Sequence, residues 1–180
     1  MINVLSYDRN LATAPMPTIR RFSESLPMLL LRARETAMAR FRPVLHSFGV
    51  TEQQWRALRA LNDLGELTAA GLAAECSILA PSMTRILRKL TEQGLVVAGR
   101  SKHDQRELKV KISTKGKRLV ATVGPKVEQQ YALLREQLHP ERLAALYEDL
   151  HHLIEAGAPG QGHSTRQRDR APLRRLERAG

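Results

Sequence analysis

The segment from Pro81 to Glu92 constrains this chain most. Met83, Ile86, Leu87 and Leu90 fall on one face at helical spacing. Pro81, Arg85, Arg88, Lys89 and Glu92 fall on the opposite face, with Ser82 and Thr84 at the edges. A helix of this kind must bury its back and present a cationic, hydrogen-bonding front. Such a front suits a DNA major groove, where Arg reads guanine edges and Ser or Thr reaches bases or phosphates. An isolated helix with this pattern would be an ordinary solvated surface, so its neighbours decide between the two.

Those neighbours form a recognisable order. A short helix, Ala69 to Glu75 with Thr68 as its cap, and a turn from Cys76 to Leu79 precede the cationic helix. Pro81 suits its first turn and Gly94 its stop. Two short strands follow: Leu95 to Gly99, then Leu108, Val110 and Ile112 alternating with Lys109, Lys111 and Ser113. The loop between them contains Lys102, His103, Asp104, Gln105 and Arg106. Asp104 can clamp this loop while Arg106 projects into a narrow, electronegative minor groove. Helix, turn, helix and charged hairpin together predict a winged helix-turn-helix.

The flanking helices carry the same period. Leu26, Leu30, Ala33, Ala37 and Phe41 stripe a long first helix, with Pro43 near its end and Gly49 closing it. Thr51 and Gln54 predict a capping box for a second helix running to Gly65, with Val50 and Trp55 as its hydrophobic staple. Ser113 or Thr114 caps a fifth helix, whose Val120, Val123, Val127, Tyr131, Leu134 and Leu138 are spaced like a coiled-coil seam. Pro125 is expected to kink it. Pro140 opens a sixth helix with Leu143, Leu146, Tyr147, Leu150 and Leu153 on one side. The expected fold is mainly α. Its winged helix spans about 51–113, flanked by long helical segments at about 25–47 and 114–155, within a domain covering 23–155.

Composition agrees. The chain is 180 residues with 42% hydrophobic and 4% aromatic content, so its core is built of Leu, Ala and Val, which favours helices. The net charge is +11, the mark of a polyanionic partner or a basic tail. Residues 156–180, rich in Gly, Pro and Arg, read as a disordered basic tail, and 1–22, with Pro15 and Pro17, as a flexible arm. The remainder is still basic. Cys76 stands alone, which fits a reducing cytosol, and no secretory signal or membrane-length apolar run is seen. No phosphate loop, nucleophile elbow, zinc-protease motif or cysteine–histidine pairing of known spacing is present, so neither an enzyme nor a cofactor is expected.

The sequence resembles the MarR family of winged-helix regulators. The resemblance rests on Thr51-Glu52-Gln53-Gln54-Trp55, Thr68 through Ala80, Pro81-Ser82-Met83-Thr84-Arg85, Glu92-Gln93-Gly94-Leu95-Val96, Asp104-Gln105-Arg106 and Leu108 through Gly116. It covers about Ser25 to Ile154. Leu31-Arg32-Ala33-Arg34-Glu35 and Phe41-Arg42-Pro43 further resemble the subgroup that regulates homoprotocatechuate degradation operons. The resemblance implies a homodimer joined through its first, fifth and sixth helices, binding a palindromic operator in double-stranded DNA. It implies a cytoplasmic repressor acting on the nucleoid and released by a small aromatic carboxylate of phenolic, hydroxycinnamic or hydroxynicotinic type. It also places an effector pocket in the region of Ser25, Arg34, Met38 and Trp55.

Other readings of particular residues stay open at this level. Arg34 serves either as a surface charge or as a fork for a ligand carboxylate. Cys76 is either a small core residue or the thiol of a redox-responsive regulator. Glu148, His152 and Glu155 share a helix face, but with no Cys or further His beside them they read as surface polar groups rather than metal ligands. An architectural DNA-coating protein without effector control is the remaining alternative, to which the basic tail lends weight.

Overall fold

The structure, a computed structural model, describes residue 19 and residues 21–100 and 108–157. The 1–22 arm and 156–180 tail therefore lie almost wholly outside the described residues, as does the hairpin loop. Six helices and three strands follow in the order α1 (Leu26–Ser47), α2 (Glu52–Leu64), β1 (Leu67–Thr68), α3 (Ala69–Glu75), α4 (Ala80–Glu92), β2 (Val96–Arg100), β3 (Leu108–Ile112), α5 (Thr114–Leu138) and α6 (Pro140–Gly157). A short 3-10 turn, Phe22–Glu24, precedes α1.

Local chemistry sets most boundaries. At α2 the Thr51 hydroxyl accepts from the Gln54 amide while the Gln54 side chain accepts from the Thr51 amide, a complete capping box. The Thr68 hydroxyl accepts from the Gly71 amide and starts α3. The Ser113 hydroxyl accepts from the Gly116 amide and starts α5. Three helices stop by one device. At the ends of α1, α3 and α4, residues 49, 77 and 94 adopt positive φ, and the next amide reaches back into the last turn: Val50 to Leu45, Ile78 to Ala73 and Leu95 to Leu90. Glycine fills the left-handed position at 49 and 94. Ser77, at φ 48, fills it in the turn between α3 and α4.

The sheet is antiparallel in the order β1-β3-β2, with Leu67 opposite Val110 and Val96 opposite Ile112. No sequence pattern marks β1, since two residues cannot show an alternation. Leu58, Leu61, Leu72, Met83, Leu90 and Val96 are among the most deeply buried members of the core beneath this sheet and its helices. Each contributes about 1.5–3 kcal/mol by leaving water. A second cluster joins Phe41 and Leu45 of α1 to Val123 and Val127 of α5.

That cluster corrects the expected seam on the fifth helix. Val120, Val123 and Val127 are buried within the chain itself, and the Tyr131 ring packs tilted on Phe41 at 4.8 Å. Spacing by three and four marks any buried helix stripe, whether its partner is the same chain or another. Only Tyr131 and later positions of that stripe reach the surface, with Tyr131 and Leu138 both exposed.

The chain divides into two compact units between Leu133 and Leu134. The first holds the winged helix and α1. The second holds the end of α5 and α6, where Leu146, Tyr147, Leu153 and Ile154 remain exposed. In the first unit, Leu26, Leu29 and Leu31 of α1 are also exposed. No helix among the described residues is long and apolar enough to cross a membrane.

Candidate functional site

The back of α4 is closed: Met83, Ile86, Leu87 and Leu90 are all buried in the main core. Its front is open. Pro81, Thr84, Arg85, Arg88 and Lys89 are exposed, and Ser82 is half-buried at the edge. Arg88 makes only a loose 3.9 Å contact with Glu92, both side chains standing in solvent. Arg85 and Lys89 make no ion pair among the described residues. The Thr84 hydroxyl donates to the Ala80 carbonyl at 3.1 Å. Between α4 and the start of α2 lies a groove of about 280 Å3 lined by Thr51, Gln53, Gln54, Ser82, Arg85 and Lys89 among others. The helix therefore offers several cations that no carboxylate among the described residues neutralises closely, on a helix whose back is buried. Lys102, His103, Asp104, Gln105 and Arg106 lie outside the described residues.

The far end of α4 is tied to α5. The Ser113 amide donates to the Leu95 carbonyl at 3.0 Å, its hydroxyl to the Gly94 carbonyl at 2.7 Å, and the Lys115 ammonium to the Gln93 carbonyl at 2.8 Å. Gly116 sits buried against Leu95 and Ile112, where any side chain would collide.

A cleft of about 530 Å3 opens elsewhere in the same unit. Arg34, Met38, Glu52, Trp55, Arg56, Arg59, Val127, Glu128 and Tyr131 line it. Of the four residues singled out in sequence, Arg34, Met38 and Trp55 thus meet in one place. Ser25 does not line it; it is the residue before the first turn of α1. Glu52, Arg56 and Arg59 were not read as cleft residues in the sequence because charges on α2 resemble a solvated face, and Tyr131 was read only as part of the fifth-helix stripe. The i, i+4 pairings Glu52–Arg56 and Trp55–Arg59 were the available signal.

Glu52 organises the charges. Its Oε1 accepts from Arg34 and, at 2.8 Å, from Arg56, while its Oε2 accepts from Arg42 Nε at 3.2 Å. Glu35 bridges Arg34 and Arg42 at 2.6 Å each. The hydrogen bond from Arg42, aided by the charges of Arg42 and Arg34 and opposed by slight desolvation, holds the Glu35 carboxyl below its usual range. The Arg59 guanidinium lies 5.9 Å over the Trp55 ring and reaches Asp63 at 3.2 Å. Its Nε is buried with no partner among the described residues. A buried N–H left unpaired costs free energy. Met38, Trp55, Val127 and Tyr131 supply the apolar wall, so the cleft combines a slot for a flat apolar group with arginines for an anion.

Cys76 is 2% exposed, and burial pushes its thiol pKa up against the opposing charge of Arg56. Thiolate chemistry is thereby disfavoured. Among the described residues no three His, Cys, Asp or Glu side chains gather as a metal site, Glu148, His152 and Glu155 included.

Residues 48–107 match the family model described as MarR family. The HTH-type transcriptional regulator FarR of Neisseria gonorrhoeae is 37% identical over 131 residues, covering 73% of this chain and 89% of that one. The homoprotocatechuate degradative operon repressor of Escherichia coli is 35% identical over 132 residues, covering 73% of this chain and 86% of the repressor. The crystal structure of NadR in complex with 4-hydroxyphenylacetate has a TM-score of 0.67 at 36% identity, covering 78% of this chain and 99% of that chain. With a winged helix in place and relatives matched along most of their length, the chain belongs to the MarR family of DNA-binding transcriptional regulators.

Proposed function

We propose that this chain is a repressor that binds a palindromic operator as a homodimer and is released by a small aromatic carboxylate. The exposed cationic front of α4, fixed over a fully buried back, carries the DNA-binding half of the reading. Arg85 and Arg88 read base edges in the major groove, and Pro81, Ser82, Thr84 and Lys89 set its register on the backbone. The sequence Asp104-Gln105-Arg106 supplies the wing, with Arg106 in the minor groove. A second copy covers the exposed leucines of α1 and the exposed Leu146, Tyr147, Leu153 and Ile154 of α6. Two copies present two recognition helices, which a palindrome matches. Such a repressor works on the nucleoid, in the cytoplasm.

The cleft carries the effector half. Trp55 and Tyr131 flank an aromatic ring, while the guanidinium groups of Arg34, Arg56 and Arg59 receive its carboxylate. The relatives point the same way: one is named for repression of homoprotocatechuate degradation, and the structure of another contains 4-hydroxyphenylacetate. A ligand releases DNA only by binding the DNA-incompetent dimer more tightly, so the effect is reciprocal.

Footprinting and titration on the promoter beside the protein's own gene, with and without 4-hydroxyphenylacetate, test both halves. We expect a discrete protected palindrome and roughly 5–150-fold weaker binding at saturating ligand. Uniform protection along the fragment would mean a DNA-coating protein, and an unchanged affinity would remove the ligand from the mechanism.

A further inference from the structure

We propose that Arg56 is the positioning residue that carries the state of the cleft to the recognition helix; this rests on the reading of the cleft as the ligand site. The guanidinium of Arg56 is divided between two places. Nη2 donates to Glu52 Oε1 at 2.8 Å, in the cleft, and Nη1 donates to the backbone carbonyl of Cys76 at 2.7 Å, in the turn between α3 and α4.

The turn needs that donor. A helix leaves its last carbonyls without intrahelical partners. At the end of α3, the carbonyls of Leu72, Ala73 and Ala74 are taken by the amides of Cys76, Ile78 and Ser77. The Cys76 carbonyl is beyond their reach and is taken by Arg56 instead, which also sets a cation at the negative end of the helix. Directly after it comes Ser77 in the left-handed conformation, and then Leu79 and the first turn of α4. The direction in which α4 leaves the turn is set within these few residues.

The cleft competes for the same group. Glu52 Oε1 is shared by Arg34 and Arg56, so a second carboxylate entering beside them draws on the same donors. A guanidinium is a rigid planar fork. Turned to face a ligand carboxylate with both prongs, it no longer addresses the Cys76 carbonyl. Ligand and turn therefore exclude one another at one side chain. That exclusion is a differential interaction between two states, which any ligand-driven shift requires. Binding in the cleft leaves the turn without its donor and frees α4 from its DNA-reading direction.

The test uses the full-length protein, operator DNA and 4-hydroxyphenylacetate. Arg56→Gln, Arg56→Lys and Arg59→Gln are compared with wild type. Two quantities are read: operator affinity without ligand, and the ratio of ligand affinities with and without operator. In Arg56→Gln, operator affinity should fall about tenfold, as for loss of a charged hydrogen bond, and the ratio should collapse to about one. Wild type should show a ratio of roughly 5–150. Arg56→Lys, which keeps a donor for the carbonyl, should recover most of the ligand-free operator affinity. Arg59→Gln lines the cleft without touching the turn, so it should weaken the ligand and lose less operator affinity than Arg56→Gln. A purely structural Arg56 would lower thermal stability and leave the ratio unchanged; a wild-type ratio in Arg56→Gln overturns the proposal. Absence of ligand binding in wild type would sink the reading of the cleft. The ligand-free comparison of Arg56→Gln with Arg59→Gln would still decide whether Arg56 holds the turn, and equal operator affinities there overturn that role as well.

Discussion

Cys76 and Gly116 show how single positions are committed by their surroundings. Burial raises the Cys76 pKa, so its neutral form is favoured in the folded state. The unfolded chain ionises first as pH rises, and this thiol therefore lowers stability only at alkaline pH, above the ordinary thiol pKa. At pH 8 the native protein should resist iodoacetamide, reacting only after addition of denaturant. Labelling of the native form at the rate of a free thiol would restore a redox role. Gly116 has no such latitude. An added Cβ would strike the Leu95 carbonyl oxygen and come within 2.7 Å of Ile112 Cγ1. Gly116→Ala should cost at least the upper part of the ~1–3 kcal/mol of an overpacked core, measured by urea denaturation. An unaltered midpoint would mean that α5 shifts freely off the sheet.

At the level of elements, α4 separates two kinds of contact. Arg85→Ala and Arg88→Ala should lose more affinity for operator than for random DNA, by ~1–3 kcal/mol for each base-edge contact. Equal losses on both, in competition binding, would assign these arginines to the phosphate backbone. The helix itself was legible because Met83, Ile86, Leu87 and Leu90 repeat a period that nothing else explains. The starts of α2, α3 and α5 were legible because Thr51, Thr68 and Ser113 bond to amides three residues away. Stops at Gly49 and Gly94 could be read because glycine advertises positive φ, whereas Ser77 in the same conformation does not. The cleft was half legible. Family likeness pointed to the region of Ser25, Arg34, Met38 and Trp55, but Arg56 and Arg59 acquire meaning only once the Cys76 carbonyl and the Trp55 ring lie beside them. The stripe on α5 was legible as buried but not as to its partner, since Val123 and Val127 serve Phe41 and Leu45 of the same chain.

For the molecule as a whole, the proposed dimer draws on the exposed apolar side chains of α6. Leu146→Asp with Ile154→Asp should convert the proposed dimer to monomer in sedimentation, and operator affinity should collapse because one recognition helix reads only a half-site. A monomeric variant with wild-type affinity would remove the palindrome from the argument. The sheet carries a different consequence, in the order of folding. Strands β2 and β3 are a hairpin, joined locally from Arg100 to Leu108, but β1 meets β3 by pairing Leu67 with Val110 across the whole of α3, α4 and the hairpin. Closing a long loop costs entropy before its contacts return anything. The first strand is therefore the last to dock, after the helix stops and the hairpin have formed. Truncating Leu67 to Ala should then hasten unfolding while leaving the folding rate almost untouched, giving a φ-value near zero in a chevron experiment. A value near one would put that two-residue strand in the nucleus and make the smallest element of the fold the one that starts it.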